Sequence, residues 1–204
     1  MSLVAKSLTL SLSIAALLAA DKNARKDGFR VNPASSYAAR QTNEKVTIAV
    51  DPFDTPEKVR SAFGKVNPNE YGVLPVLLVM QNDSPKALDL HHMRVEYIAP
   101  DRQRIDATPA SDVRYLRGVE RPPAPGGEPR TRFPIPAARG KRNPLDTWEI
   151  DGRAFAARML PPGESAYGFF YFQVRHRPEA KIYITGVREA GTQRELWYFE
   201  IPLP

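Results

Sequence analysis

The sequence contains no cysteine among its 204 residues. This absence excludes disulfide bonds, a thiol nucleophile, and the cysteine ligands of zinc and iron–sulfur sites. It also excludes a lipid anchor attached through cysteine. The fold must therefore be stabilised by the packing of its core alone.

Long hydrophobic runs are also absent. The apolar stretch from Leu8 to Ala20 has 13 residues, whereas a membrane-spanning helix needs about 20. No other stretch reaches that length, so the sequence predicts no membrane span in the mature chain. Proline, by contrast, is abundant: twenty residues are roughly twice the usual share of about 5%. Because proline breaks helices, this abundance favours short strands over long helices.

The N-terminus has the three-part layout of a secretory signal peptide. One positive charge at Lys6 precedes the apolar stretch, which ends in the small residues Ala19 and Ala20, and charged residues begin at Asp21. We therefore predict a signal peptide at residues 1–20 and an exported protein, periplasmic or extracellular. An uncleaved signal that anchors the chain and a buried N-terminal helix are the alternatives. Residues 21–44 are polar and show no period, which predicts a flexible leader.

The segment from Lys45 to Leu160 shows strand and helix signals in turn. Lys45 to Val50 alternates apolar and polar residues, which predicts a strand. A short helix is predicted near residues 55–63, with Asp54 or Thr55 as N-cap, Pro56 in the first turn and Gly64 at its end. Further strands are expected at Leu90 to Ile98, Arg102 to Asp106, Asp112 to Leu116 and Phe155 to Leu160.

Two strands are apolar on both faces. Tyr167 to Val174 holds five aromatic residues, and an extended chain would place them on both sides of a sheet. Such a strand is expected to run through the middle of the structure. Tyr71 to Asn82 shows the same character, and its Pro75 is expected at a bulge or where no partner strand lies, because proline cannot donate to a ladder.

These segments predict a mainly β fold, a two-sheet antiparallel sandwich spanning residues 45–204 with one short helix. The stretches Gly72 to Asp83 and Pro162 to Phe172 make the chain resemble immunoglobulin-like sandwich domains of exported bacterial proteins. The resemblance covers roughly residues 45–202 and concerns architecture. The Cys…Trp…Cys core of true immunoglobulin domains is missing, so the resemblance assigns no functional residue.

A proline- and arginine-rich insertion interrupts the predicted domain at residues 117–145. Its acidic residues are Glu120 and Glu128. Its seven basic residues are Arg117, Arg121, Arg130, Arg132, Arg139, Lys141 and Arg142. The insertion thus has a net charge of +5, while the rest of the mature chain is balanced. We expect it to bind an envelope protein or an anionic envelope surface, such as lipid head groups or polymers. A solvated loop that only aids solubility is the alternative.

Other chemistry has weaker signals. His91 and Met93 share one face of a predicted strand, and this soft pair suits copper in an exported protein. Met80, Met159 and His176 could add ligands only if the fold brings them together. The alternative is that Met93 packs in the core and the histidines lie near the exposed start of the strand. Ser165 fails as a nucleophile because the turn that contains it leads into a strand, the reverse of a nucleophile elbow. Phe133 is the insertion's one aromatic residue, too few to stack nucleic-acid bases. We therefore predict a non-enzymatic, cofactor-free binding or accessory domain, with copper binding as the alternative and a hydrolytic enzyme third.

Overall fold

The computed structural model describes residues 29–116, 143–196 and 198–204. The predicted signal peptide at 1–20 lies outside the described residues, as do residues 21–28 of the predicted leader and 117–142 of the insertion. The described chain is mainly β, as predicted, with antiparallel pairing throughout its sheets. None of the helices in these three ranges has the length and apolar character needed to cross a membrane.

The described ranges from Ala34 to Pro202 contain eleven strands, three short α-helices and two 3-10 helices, Ala34–Ser36 and Pro68–Tyr71. The strands are β1 (Arg40–Asn43), β2 (Val46–Pro52), β3 (Leu74–Asn82), β4 (Leu88–Asp89), β5 (Arg94–Ile98), β6 (Arg104–Asp106), β7 (Met159–Leu160), β8 (Ser165–Phe172), β9 (Lys181–Thr185), β10 (Arg188–Glu189) and β11 (Phe199–Pro202). The helices are α1 (Pro56–Phe63), α2 (Ala110–Val113) and α3 (Trp148–Gly152).

The strands form three sheets, one more than predicted. Two have four strands, in the orders β1-β2-β3-β8 and β11-β9-β5-β6. The third is small, with two-residue strands in the order β10-β4-β7. We call the first the N-sheet, because it contains the first strands of the chain, and the second the C-sheet.

The predicted helix forms as its sequence dictates. The Thr55 hydroxyl accepts a hydrogen bond from the Lys58 N–H, which caps the first turn, and Pro56 occupies the start. Gly64 ends the helix at φ 63°, a backbone angle that favours glycine. Val59 and Phe63 are among its buried residues, so α1 lies against the sheet by its one apolar side.

Strand β3 is one of the two interior strands of the N-sheet, and it is buried on both faces as predicted. Pro75 pairs with Tyr171 of β8, and its carbonyl accepts a hydrogen bond from the Phe53 N–H at 2.9 Å. Phe53 follows Pro52, the last residue of β2. The N–H and C=O of an extended residue point to the same side. The missing donor of Pro75 therefore faces a position where its neighbouring strand has ended, in agreement with the prediction.

The aromatic strand β8 does not run through the middle of its sheet; it is the last strand in the order. Its outer edge is covered by short isolated bridges: the Phe155 N–H donates to the Phe169 carbonyl, and the Thr108 N–H donates to the Tyr171 carbonyl. These bridges satisfy part of an edge that would otherwise be open to another chain. Strand β8 is therefore apolar on both faces although it has a neighbouring strand at one edge only, because loops and helices bury the rest of it.

One face of the N-sheet packs against the C-sheet in a single apolar cluster. Its largest members include Phe172 of β8 and Tyr97 of β5, both completely buried. The cluster also contains apolar residues from strands of both large sheets: Val46, Ile48, Val50, Leu74, Val76, Leu78, Met80, Val95, Ile182, Ile184, Phe199 and Ile201. This cluster is the principal core, and burial of its apolar area is the main stabilising contribution to the fold.

The other face of the N-sheet is covered by the helices. Phe169 of β8 meets Phe53 edge-on with ring centroids 4.8 Å apart, and it meets Phe63 of α1 at 4.9 Å. The hydroxyl of the buried Tyr171 donates to the Ile150 carbonyl of α3 at 2.7 Å, and burial raises the pKa of that hydroxyl well above its usual range. Helices therefore take the place of a further sheet on this side.

The two large sheets are tied together along one edge. The Asn43 side-chain amide of β1 donates to the Tyr198 carbonyl at 2.9 Å, and the Glu200 N–H of β11 donates to the Gln41 side chain at 2.8 Å. At the opposite edge, β8 and β5–β6 are separated by a groove. We call these the tied edge and the open edge.

Three predictions of local structure are wrong. Residues 40–43 of the predicted flexible leader form strand β1, which pairs with β2 through its backbone while its polar side chains remain half-buried or exposed. Residues 110–113 are helix α2, where part of a strand was predicted from Asp112. Of the strand predicted from Phe155 to Leu160, Met159–Leu160 alone form a strand, β7.

Candidate functional site

The seven basic residues of the insertion lie outside the described residues, but both ends of the insertion are described. Arg114, just after α2, forms ion pairs with Asp146 at 3.3 Å and with Asp151 of α3 at 3.1 Å. The Asn143 side-chain amide donates to the Arg114 carbonyl. One arginine thus joins the chain that enters the insertion to the chain that leaves it. We call this set of contacts the base of the insertion.

The base is anchored to the sheet more firmly than its ion pairs suggest. Those pairs are 35–45% exposed, and such pairs contribute little individually. Leu145 and Ile150, by contrast, are buried, as is Val113 of α2. The Tyr171 hydroxyl also holds α3 against β8. Apolar burial and one buried hydrogen bond therefore fix the position from which the insertion leaves the fold.

Two neighbouring cavities occupy the open edge. The first, of about 550 Å³, lies between β5, residues 106–110 and β8, and its polar side chains include Arg94 and Asp106. The second, of about 480 Å³, includes His91 and Arg158 in its lining. Both volumes fall in the range of small-molecule sites, about 300–1,000 Å³.

The cavities share three lining residues, Met93, Phe155 and Phe170. They therefore lie side by side in one depression, which we call the groove. The rings of Phe155 and Phe170 stack with centroids 5.4 Å apart at 26°. Both rings are half-buried, as is Met93, so the floor of the groove presents apolar surface to solvent.

The absence of a side chain at Gly168 allows the floor of the groove to form. A Cβ at this position would lie 2.4 Å from the Phe155 Cα and 2.5 Å from its nitrogen, distances that no real contact reaches. Residues 153–155 therefore run against β8, with Ala154 in a parallel bridge to Phe169, at a point where only glycine fits. We call this close approach the crossing. The crossing is held by Phe169 N–H to Arg153 carbonyl at 2.8 Å and by Phe155 N–H to Phe169 carbonyl at 3.1 Å.

The structure places His91 and Met93 together in the lining of the second cavity. They lie in the turn that precedes β5, so the prediction that they share one face of a strand is wrong. The His91 ring Nδ1 lies 2.8 Å from the Asp89 carboxylate. Hydrogen bonds from the His91 backbone, the His91 ring and Gln193 lower the pKa of Asp89 to about 2. Asp89 is therefore a carboxylate at neutral pH and orients the ring of His91.

The other candidate copper ligands are scattered. Met80 is completely buried in the core, Met159 is 55% exposed on β7, and the His176 ring lies 3.0 Å from the Pro204 carbonyl. In the described ranges, no three side chains of His, Cys, Asp or Glu are grouped so as to hold a metal ion.

Ser165, the residue considered as a nucleophile, lies at the start of β8. Its partner across the ladder is Gln81 of β3, and its side chain is exposed. Gly163, at φ 77°, turns the chain into this strand. The local order is turn followed by strand, as the sequence predicts.

A charge cluster around the buried carboxylate of Glu189 was not predicted from the sequence. Glu189 of β10 is 5% exposed and bonds Arg194, Lys86 and Thr192; these bonds, Arg194 first, lower its pKa to about 2. Arg194 also pairs with Glu44 in the turn between β1 and β2. Every partner is satisfied within the fold, so the cluster is structural: it fastens the small sheet to the N-sheet.

The groove and the base of the insertion were also missed, because each is assembled from segments far apart in the chain. A weak signal for the groove was present: Gly168 interrupts an aromatic strand, and an isolated strand glycine often marks a close approach of backbone. Comparison with known proteins gives no further guide: no protein-family model matches the chain, and a search of curated proteins found no match.

Proposed function

We propose that this protein is a non-enzymatic, exported binding domain of the cell envelope, and that the basic insertion at residues 117–145 binds an anionic surface there. The observation that best supports the proposal is the base of the insertion. Arg114 joins Asp146 and Asp151 across the two ends, so a segment with a net charge of +5 leaves the fold from one fixed place.

The charge of the insertion sets the kind of partner. The seven basic side chains outnumber the two acidic ones, and the segment offers few apolar groups for burial. Binding energy would therefore come mainly from attraction to negative charge, which salt screens. An extended anionic surface of lipid head groups or envelope polymers fits this segment better than an acidic protein, because it needs no shaped interface.

The proposal rests on an immunoglobulin-like sandwich as the scaffold. Named in the usual way, β2, β3 and β8 would be strands A, B and E of one sheet, and β5, β6, β9 and β11 would be C, C′, F and G of the other. Within the N-sheet order β1-β2-β3-β8, the last three strands then correspond to A-B-E, and β11-β9-β5-β6 corresponds to G-F-C-C′. Strand β1 and the small sheet β10-β4-β7 are additions to this scheme. In this scheme the insertion lies between C′ and E. Nuclear Overhauser contacts between methyl groups of β3 and β9 are expected; their absence would contradict the scheme.

The binding test compares two variants with the same loss of charge. In the insertion variant, Arg130, Arg132, Arg139, Lys141 and Arg142 are changed to Gln. In the control variant, five exposed basic residues of the body, Lys45, Arg60, Lys65, Arg102 and Arg175, are changed to Gln. Cosedimentation with anionic and with neutral vesicles, and with an anionic polysaccharide, measures association of each protein.

We expect the wild type and the control variant to bind the anionic probes, and the insertion variant to lose most of that binding. Binding should also weaken steeply from 0.1 to 1 M salt, as the Debye length falls from about 10 to about 3 Å. Equal loss in both variants would show that net charge alone matters. Binding that persists in the insertion variant would place the contact surface on the sheets, and binding to an acidic protein only would replace the surface with a protein partner.

Copper binding is a second candidate, supported by the placement of His91 and Met93 in one cavity. Asp89 holds the Nδ1 side of the His91 ring, an arrangement that orients a histidine for metal binding through Nε2. Titration of the untagged protein with Cu(I) tests it. Affinity that His91→Gln and Met93→Leu both reduce would support this candidate, and affinity unchanged in both variants would reject it.

A further inference from the structure

The groove at the open edge has a composition that the proposed function does not use. Its floor is formed by the half-buried Phe155, Phe170 and Met93, and the described residues leave this apolar surface uncovered. A ligand that covers this apolar surface removes it from water, and this burial contributes favourably to the free energy of binding. The floor therefore favours a ligand with an aliphatic or aryl chain.

The charges at the two ends of the groove differ. In the first cavity Arg94 is accompanied by Asp106, so the formal charges there cancel. The second cavity is lined by Arg158 and His91, and no carboxylate is among its described lining residues. The Asp89 carboxylate beside this wall is engaged by the backbone and ring of His91 and by Gln193. The cationic end of the groove is thus at Arg158.

The Arg158 side chain is available to a ligand. The residue is exposed, and in the described parts of the chain its guanidinium forms no ion pair with a carboxylate. Its backbone carbonyl accepts a hydrogen bond from the Leu90 N–H at 2.9 Å, which fixes the main chain at the cavity wall. A guanidinium is well suited to bind a carboxylate or phosphate through two parallel hydrogen bonds.

We infer that the groove binds an amphipathic anion: a carboxylate or phosphate head at Arg158, with an acyl or aryl chain lying on Phe155, Phe170 and Met93. The site is separate from the basic insertion and is built entirely from described residues of the 90–93 turn, β5, β8 and the 154–158 segment. Charge selects the head group and the stacked rings select the chain. The inference stands whether or not the insertion binds an anionic surface.

The test uses single-chain probes on the full-length protein below their micelle concentrations. Hexanoate, octanoate and decanoate vary the chain, while decanol and decyltrimethylammonium keep a ten-carbon chain and change the head. Binding is measured by calorimetry, and chemical-shift changes locate the probe. The matched variants are Arg158→Gln and Arg60→Gln, because Arg60 is also exposed but lines a different cavity beside α1. Melting curves establish that both variants are folded.

Decanoate should bind more tightly than decanol, and decyltrimethylammonium most weakly. Each added methylene should tighten binding up to about fourfold, as expected for about 0.8 kcal/mol per buried methylene. Arg158→Gln should weaken decanoate binding about tenfold, the loss of one charge-assisted contact, while leaving decanol within twofold of wild type. Arg60→Gln should change neither. The insertion variant should retain decanoate binding.

Three results would overturn the inference: equal affinity for the three ten-carbon probes, equal effects of Arg158→Gln and Arg60→Gln, or shift changes centred away from Phe155 and Phe170. If decanoate binds as expected, the same Arg158→Gln variant identifies the source of the anion. Parallel loss of anionic-vesicle binding would assign the head group to a lipid in the bilayer. Unchanged vesicle binding would assign it to a free amphiphile.

Discussion

Replacing Gly168 by alanine tests the crossing that shapes the groove. An added Cβ would lie 2.4 and 2.5 Å from backbone atoms of Phe155. Backbone cannot rotate away as a side-chain end can, so the 153–155 segment must move off β8. In an unhindered strand the same change would stabilise the protein, by about 0.4–1 kcal/mol. A decrease in the free energy of unfolding on Gly168→Ala would therefore support the close approach of Phe155, and an increase would contradict it.

The magnitude follows from what the displacement disrupts. Overpacking in an interior costs about 1–3 kcal/mol. The two hydrogen bonds of the crossing, Phe169 N–H to Arg153 carbonyl and Phe155 N–H to Phe169 carbonyl, contribute about 1 kcal/mol each. We expect Gly168→Ala to lower the free energy of unfolding by about 3–5 kcal/mol, a large part of the 5–15 kcal/mol typical of a domain.

Urea unfolding followed by circular dichroism measures this free energy. Gly191→Ala is the matched control, because its added Cβ meets nothing within 4 Å and its backbone angle is ordinary; it should be neutral or slightly stabilising. A Gly168→Ala protein within about 0.5 kcal/mol of wild type would refute the crossing, and with it the stacked floor of the groove.

Three further predictions concern the core, the buried charge cluster and export. Phe172→Ala should cost about 3–5 kcal/mol because the ring is completely buried, and Phe170→Ala should cost less because its ring is only partly buried, at the floor of the groove; equal costs in urea unfolding would contradict this placement. Glu189 has a folded-state pKa of about 2, below its ordinary 4.5, so the stability it contributes is complete above about pH 5 and is lost as pH falls toward 2. The stability difference between wild type and Glu189→Gln should therefore shrink between pH 5 and pH 2.5, and a difference that stays constant would show that the carboxylate is not held by Arg194 and Lys86. Protein from its native host should begin near Asp21 and be found outside the cytoplasm. A cytoplasmic protein whose N-terminal sequence begins at residue 2 would contradict the proposed export and the envelope location.

The sequence predicts elements whose signals are local. Helix α1 has its cap at Thr55, its proline at the next position and its terminal Gly64 directly after the last helical residue. Strand β3 is a continuous apolar run buried on both faces. In each case, local sequence preferences and burial favour the same structure, so the sequence pattern alone predicts the element.

The hairpin of β1 and β2 shows why other elements could not be predicted. Its two turn residues, Glu44 and Lys45, have φ angles of 49° and 65°. Turns with two positive φ angles usually contain Asn-Gly, and neither residue type is present at these two positions. The ion pair of Glu44 with Arg194, 150 residues away, helps to hold this turn. No local pattern contains that interaction.

The aromatic strand illustrates a second limit. Apolar residues on both faces of β8 predict burial correctly for Phe169, Tyr171 and Phe172. They do not specify whether a sheet or helices provide the cover. Here α1 and α3 cover one face, and the periodicity of β8 would be the same in either case. The candidate site depends on such long-range placement, since the groove joins β5, β8 and the 154–158 segment.

Hydrogen–deuterium exchange in the presence of anionic vesicles tests the central claim most directly, namely that the insertion binds an anionic surface from its fixed base. We expect slower exchange in residues 108–116 and 143–152, which flank the insertion, with no change at the tied edge in residues 40–43 and 199–202. The protection should disappear at 1 M salt and in the insertion variant. Protection that is strongest at the tied edge, or that is equal at both edges, would contradict the account.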